Sequence, residues 1–230
     1  MQNKKKWRET TMIKIIDYTK NPLTKMGTVA SACWNSKPSA KIGVSCIESG
    51  HGRVLEFADI TVEIQDYSAR MLRELYTSSV GCSKLQSSTR YINYGEFEYY
   101  VPDSVEDDDE AYEIYTDLMS EISKSYTKLQ DLNIPKQDIA NILPLGMIST
   151  VVLKINARAL LHMAEIRLCT RALKEFREFM RELIGEISKL NDEWAKIMSY
   201  AKPKCDVHGY CNEHHSCGKY PKRKETNNND

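Results

Sequence analysis

Three segments of the chain have the apolar pattern of a β-strand: residues 12–18, 55–65 and 147–155. In the second segment Ile60, Val62 and Ile64 would share one face of the strand, and the polar residues between them would share the other. Alternation with a period of two is typical of a strand with one buried face. We therefore expect this segment to be half-buried in a sheet.

Between the strands the sequence predicts helices, which end at Pro, Gly and Asn positions. The predicted helices cover residues 27–34, 40–48 and 68–79, a long helix that starts in the acidic run 106–110, a short one opened by Pro135, and 156–198 with a break near Gly185. Residues 81–89 are Ser-rich and predict a long loop, and the aromatic residues 91–101 predict an extended segment. Loops of this length often carry function.

Composition is that of a globular protein with one domain of ordinary size. Of 230 residues 41% are apolar and 28% charged, with 32 Lys+Arg against 32 Asp+Glu. A balanced charge gives no overall field for nucleic acid or an anionic membrane, so neither partner is expected. The apolar stretches fall short of the roughly 20 residues that span a bilayer. The polar start of the chain resembles no secretory signal, and a cytoplasmic protein is expected.

The most informative segment begins at Asn156, where the strand gives way to a helix and an amide side chain can cap the helix. Two polar stripes would run along this helix on opposite sides. They are Arg158, His162 and Glu165 on one side and Arg167, Arg171 and Lys174 on the other. The residues between the stripes are apolar, which predicts a buried helix. Its charges would form internal salt bridges, such as Arg158 with Glu165, or face bound ligands.

Several of these motifs resemble the flavin-dependent thymidylate synthases. The matching segments are 143–147 (Leu-Pro-Leu-Gly-Met), 155–160 (Ile-Asn-Ala-Arg-Ala-Leu), 165–172 (Glu-Ile-Arg-Leu-Cys-Thr-Arg-Ala), 175–177 (Glu-Phe-Arg), 49–51 (Ser-Gly-His), 54–56 (Val-Leu-Glu), 60–64 (Ile-Thr-Val-Glu-Ile) and 88–91 (Ser-Thr-Arg-Tyr). Their order and spacing match the family over residues 12 to about 200.

The resemblance implies an α+β fold with a mixed or antiparallel sheet and long helices, assembled as a homotetramer. It also implies FAD as cofactor and dUMP as substrate, bound where subunits meet. Methylenetetrahydrofolate would donate the one-carbon unit, reduced flavin would deliver a hydride, and NADPH would reduce the flavin. The product would be dTMP.

The resemblance also assigns residues. Arg167 matches the catalytic arginine that contacts the uracil and favours ionisation at its N3. The substrate-binding candidates are Arg73, Gln86, Ser87, Ser88, Thr89, Arg90 and Arg167. The cofactor-binding candidates are His51, Arg53, Glu56, Gln86, Asn156, Ala157, Arg158 and His162. Gln86 would touch both ligands.

One part of the family signature is missing. Where the family has Arg-His-Arg, this chain has Thr-Ser-Ser-Val at residues 77–80. Arg70 or Arg73, earlier on the same helix, would replace a lost charge, with Arg73 as the preferred candidate and Arg53 and Lys84 as further substitutes. Two other functions stay open: a related enzyme that makes a 5-hydroxymethyl pyrimidine nucleotide, and an inactive member that acts as a binding protein.

We predict three parts of the chain: an N-terminal extension (residues 1–11), a catalytic domain (12–200) and a Cys/His-rich tail (201–230). The seven cysteines lack the spacing of a disulfide framework, and reduced thiols are expected. The tail places Cys or His at every third residue from Cys205 to Cys217. Zinc is one interpretation, but its structural sites usually pair two close ligands with two distant ones. A tail that packs on the protein, with no metal, is favoured.

Overall fold

A computed structural model of the protein describes residues 13–78 and 81–223. Its strands are β1 (Ile13–Tyr18), β2 (Asp59–Ser68), β3 (Ser83–Gln86) and β4 (Ile148–Asn156). They form an antiparallel sheet in the order β1-β2-β4-β3. The predicted extension, residues 1–11, lies outside the described residues.

Helices make up most of the rest, so the α+β prediction is confirmed. They are α1 (Pro22–Trp34), α2 (Ala40–Glu48), α3 (Ala69–Ser78), α4 (Asp103–Glu106), α5 (Asp109–Asp131), α6 (Lys136–Ile139), α7 (Ala157–Arg167), α8 (Lys174–Ser188), α9 (Asp192–Met198) and α10 (Lys204–His208). Short 3-10 turns cover Gly52–Phe57 and Ala140–Ile142. In the described ranges, no helix combines the length and apolar character that crossing a membrane requires.

The described chain folds as two compact units. The first contains Val62–Thr77 and Lys84–Leu153, and the second contains Ile15–Thr61, residues 81–83 and the chain from Lys154 onward. The first unit has an aromatic core, formed by Tyr94, Phe97, Met119, Tyr126, Ile139 and Met147. The division into a catalytic domain and a tail stays a prediction.

The alternating segment forms β2, and Ile60, Val62 and Ile64 are fully buried as predicted. The strand starts at Asp59 rather than residue 55, because the preceding residues close a 3-10 turn instead. The predicted loop is also partly wrong, since β3 lies inside it. Directly after β3, the backbone N–H of Ser87 donates to the carbonyl of Thr150 at 2.9 Å. Pairing with another strand therefore overrides the low strand propensity of this Ser-rich segment.

The long helical segment breaks at residues 168–173, not at Gly185, which lies inside α8. Arg177 stabilises this break, because its guanidinium donates to the carbonyl of Thr170 at 2.9 Å and to that of Ala172 at 2.5 Å. Both carbonyls lie in the segment between α7 and α8, and the arginine supplies hydrogen-bond donors for them. The predicted stripe of Arg167, Arg171 and Lys174 is therefore wrong, since only Arg167 belongs to α7.

Two glycines allow α1 and α2 to pack closely in the second unit. A Cβ atom on Gly27 would lie 1.9 Å from the carbonyl oxygen of Ser39, and one on Gly43 would lie 2.3 Å from that of Leu23. In both cases the obstacle is backbone, which cannot rotate away. The spacing of this helix pair thus depends on the absence of side chains at these two positions.

The C-terminal segment folds back on itself after α10. Lys219 holds Asp206 with contacts of 2.7 and 2.9 Å, and the N–H of Cys211 donates to the carbonyl of Pro221 at 2.8 Å. A cavity of about 370 Å³ lies against it, with four cysteines in its lining: Cys169, Cys205, Cys211 and Cys217. Within the part of the chain described, no three His, Cys, Asp or Glu side chains are grouped to hold a metal ion.

The thiols of Cys217, Cys205 and Cys46 differ in acidity. The backbone N–H of Lys219 and the hydroxyl of Thr170 hydrogen-bond to exposed Cys217 and lower its pKa. Burial and the neighbouring Asp206 carboxylate raise the pKa of Cys205, and burial raises that of Cys46. Cys217 is therefore the thiol with the largest thiolate fraction among these three at neutral pH.

We predict that Gly43→Ala lowers the free energy of unfolding by about 1–3 kcal/mol, the usual cost of forcing extra volume into a packed site. Gly185→Ala is the matched control, because nothing lies within 4 Å of a Cβ atom added in the middle of α8. That control should gain about 0.4–1 kcal/mol by reducing the entropy of the unfolded chain. Urea unfolding of both variants measures the difference, and equal stabilities would contradict the packing argument.

We also predict that iodoacetamide labels Cys217 before Cys205 and Cys46 at neutral pH, since the thiolate is the reacting species. The preference should narrow as the pH rises and the other thiols ionise. Thr170→Val removes one hydrogen-bond donor, so it should slow labelling of Cys217 and leave that of exposed Cys33 unchanged. Peptide mass spectrometry follows each site. Unchanged labelling of Cys217 in this variant would refute the role of the hydroxyl.

Candidate active site

The second unit contains a cavity of about 490 Å³ beside α7. Its lining residues are Cys46, Ile47, Gly50, Gly52, Leu55, Arg158, Leu161, His162, Glu165, Tyr200, Lys202, Asp206 and Val207. Ligand cavities commonly have about this volume and a mixed lining of apolar and a few polar groups. Two of the predicted cofactor residues, Arg158 and His162, are in this lining.

The junction of β4 and α7 fixes where these residues lie. Asn156 caps the helix as predicted, because its Oδ1 accepts from the N–H of Ala159 at 2.9 Å. The N–H of Ala157 donates to the carbonyl of Ala58 at 2.8 Å. The first turn of α7 is thereby held at the end of the strand, and Arg158 is the next residue along it.

Arg158 pairs with Glu56 at 2.5 Å, and not with Glu165 as the salt-bridge interpretation suggested. Gly52 makes room for the arginine, because a Cβ atom there would lie 3.0 Å from its Nε. The two paired side chains are 54% and 44% exposed. The prediction of a fully buried helix is thus wrong for this face of α7, which is open to a ligand.

One turn later, Nδ1 of His162 lies 3.9 Å from the carboxylate of Glu165. His51 lies near the cavity mouth, with its ring edge-on to Trp34 at 5.6 Å between centroids. The described lining of the cavity does not include His51 or Arg53, although it includes their neighbours Gly50 and Gly52. The structure therefore pairs Glu56 with Arg158 and places Arg158 and His162 in one cavity lining.

Arg167 is the last residue of α7, nine positions after Arg158. At 100° per residue the two arginines extend from opposite sides of the helix. The guanidinium of Arg167 lies over the ring of buried Phe176, 4.7 Å from its centroid. Stacking on an aromatic face limits the orientations of a guanidinium.

The first unit contains the other substrate candidates, most of them at the end of β3 and in the turn that follows it. Gln86 donates from Nε2 to the hydroxyl of Ser149 at 3.5 Å, and Ser88 accepts from the N–H of Arg90 at 3.2 Å. Arg90 is exposed, with its guanidinium 5.5 Å from the ring centroid of Tyr91. Ser87 and Thr89 are half-buried in the same turn. Arg73 is exposed on α3.

Sequence reasoning missed one side of the cavity. This side is formed by Tyr200, Lys202, Asp206 and Val207. The last three belong to the tail, which the sequence predicts to be separate from the catalytic domain. The spacing of 40 residues or so between α7 and this segment carries no periodic signal that could place them together. Pro203, which lies directly before α10, is the sequence sign of a turn at this point.

Comparisons with known proteins agree with this architecture. The family model described as "Thymidylate synthase complementing protein" matches residues 14–191. The flavin-dependent thymidylate synthase of Thermococcus onnurineus is 30% identical over 224 residues, which cover 90% of this chain and 91% of the relative. That of Pyrococcus abyssi is 30% identical over 219 residues, covering 87% and 89%.

A solved structure shares the fold. The crystal structure of thymidylate synthase X from Helicobacter pylori, with FAD and dUMP, superimposes with a TM-score of 0.67 at 20% identity. The match covers 84% of this chain and 99% of that one. Taken with the family match over residues 14–191, these findings show that the chain belongs to the flavin-dependent thymidylate synthase family.

Proposed function

We propose that this chain is an FAD-dependent thymidylate synthase that converts dUMP to dTMP. Methylenetetrahydrofolate would be the one-carbon donor and NADPH the reductant. The observation that carries the proposal is the geometry of α7, which presents Arg158 and His162 to a ligand-sized cavity and Arg167 on its other side. One helix can therefore contact two different ligands, such as a flavin and a nucleotide.

The cavity of the second unit fits a flavin dinucleotide in its chemistry. Arg158 provides positive charge for a phosphate, and Leu55, Leu161 and Val207 provide apolar surface for a ring system. When bound, FAD supplies the reducing equivalents for formation of the methyl group. Arg158 and His162 would hold it from the cavity lining, and Glu56, Asn156 and Ala157 would fix the position of Arg158. His51, Arg53 and Gln86, which lie outside this lining, stay cofactor candidates on the resemblance alone.

The turn after β3 fits a phosphate-bearing substrate. Serine and threonine hydroxyls, backbone N–H groups and the guanidinium of Arg90 are the donors that phosphate accepts from. We assign Ser87, Ser88, Thr89 and Arg90 to dUMP, together with Gln86. Arg73, exposed on α3, is the proposed replacement for a charge of the missing Arg-His-Arg motif.

Arg167 is the proposed catalytic residue. A uracil that loses its N3 proton carries a negative charge, and a guanidinium held in a fixed orientation stabilises that charge without reorganising. The Phe176 ring beneath Arg167 supports this role, because it restricts the arginine before the substrate arrives.

We further propose that the protein acts as a homotetramer. Two large apolar side chains flank the substrate turn on the surface of the chain: Leu85 is 74% exposed and Tyr91 is 73% exposed. Apolar surface of this kind beside a polar binding turn is typical of a protein interface. The cytoplasmic location remains a prediction from the N-terminal sequence.

The test is mass spectrometry of the products formed from dUMP, methylenetetrahydrofolate, NADPH and FAD. We expect dTMP and a yellow purified protein, because Arg158 and His162 remain available to a flavin. A product one oxygen heavier would indicate the 5-hydroxymethyl alternative. A colourless protein that takes up no FAD and forms no product would instead indicate a binding protein.

We predict that Arg167→Ala lowers kcat by about 10²–10³, the usual loss when one fixed donor to a developing anion is removed. Bound flavin should be unchanged in that variant, since Arg167 lies on the other side of α7. Arg158→Ala should instead weaken FAD binding. Lys154→Ala is the matched control, because Lys154 is similarly exposed and paired but lies on β4 outside the cavity lining. Near-parental turnover in Arg167→Ala would reject its assignment.

A further inference from the structure

The cavity beside α7 has a second wall that none of the assigned cofactor residues forms. Tyr200, Lys202, Asp206 and Val207 come from the segment that leads from α9 into α10, and all four line the cavity. Val207 leaves 54% of its apolar side chain exposed there. One side of the cavity thus carries Arg158 and His162, and the C-terminal segment supplies a further cation and an apolar surface.

This wall is anchored on both sides of Lys202. The hydroxyl of Tyr200 donates to Glu48 at 2.7 Å, and Asp206 is held by Lys219 at 2.7 and 2.9 Å. Pro203 follows Lys202 directly, and the residue before a proline is restricted to extended backbone conformations. The backbone of Lys202 is therefore fixed more firmly than its exposure suggests.

The charges of the cavity leave one cation unused. Arg158 is paired with Glu56, His162 faces Glu165 at 3.9 Å, and Asp206 is neutralised by Lys219. Within the described part of the chain, Lys202 makes no ion pair. Its ammonium is the positive charge that the cavity can offer to an anionic ligand without breaking an existing pair.

We propose that residues 200–207 form a wall of the flavin site and that Lys202 binds a phosphate of the dinucleotide. This inference rests on the proposed function, because it takes FAD as the occupant of the cavity. The phosphate of dUMP has the same chemistry, so binding of dUMP is measured separately. Lys202 lines the same cavity as the flavin candidates Arg158 and His162.

The experiment compares Lys202→Met, Lys202→Arg and Lys222→Met in the full chain. Lys222 is the matched control, an exposed lysine of the same tail that is outside the cavity lining. FAD affinity is measured by quenching of flavin fluorescence at low and high salt, and dUMP affinity by calorimetry. We expect Lys202→Met to raise the Kd for FAD about 5- to 10-fold at low salt, as for loss of one partly solvated charged hydrogen bond. Lys202→Arg and Lys222→Met should match the parent.

Salt separates a charge effect from a structural one. The difference between Lys202→Met and the parent should narrow at high salt, because screening weakens an exposed charge contact. The inference would be overturned if Lys202→Met had the same Kd for FAD as the parent. It would also be overturned if Lys202→Arg lost as much FAD affinity as Lys202→Met, or if salt did not change the lost affinity. A shift in dUMP affinity instead of FAD affinity would also overturn it. If the parent itself takes up no FAD, the proposed function fails rather than this inference alone.

Discussion

The geometry of the candidate site depends on how β4 passes into α7. At this junction Asn156 caps the helix and Ala157 donates to the carbonyl of Ala58, the residue that precedes β2. These two contacts set the direction of α7 and the rotation about its axis. Because a helix advances 100° per residue, that rotation decides which side receives Arg158 and which side receives Arg167. A shift of one residue at the junction would turn both arginines by more than a quarter of a circle.

The parts of this arrangement that could be predicted are those written in local patterns. The alternation in β2 gave the buried face of Ile60, Val62 and Ile64, and Asn156 was identified as a cap from its position alone. The sequence predicts the helix break at the wrong residue because no periodic pattern marks the contacts that cause it. Arg177 reaches back to the carbonyls of Thr170 and Ala172, and no propensity scale includes such a contact. Gly185 costs α8 only about 1 kcal/mol relative to Ala, which is too little to end the helix.

The site residues show a second limit of prediction from the sequence. The resemblance gave their identities, but composition and spacing could not tell that Arg158 pairs with Glu56, which is 102 residues away in the chain. The expectation of a buried helix failed for a related reason. Most residues of α7 around Arg158 are apolar, yet the buried residues of this helix are only Ala157, Leu160, Met163 and Ala164. A helix that lines a cavity and a helix that fills a core have similar sequences, and the difference lies in what the neighbouring elements leave open.

Exposure sets what these charges can contribute. In the single chain Arg158, His162 and Arg90 are exposed, and in water a pair of charges at contact distance gains only about 1 kcal/mol. The same contacts become several times stronger when water is displaced, so a ligand or a second subunit that covers them changes their energy more than any new residue would. The apolar side chains of Leu85 and Tyr91 flank the turn that contains Arg90, where a partner subunit of the proposed tetramer would displace such water. Binding and assembly would then reinforce each other, since each excludes water from charges that the other uses.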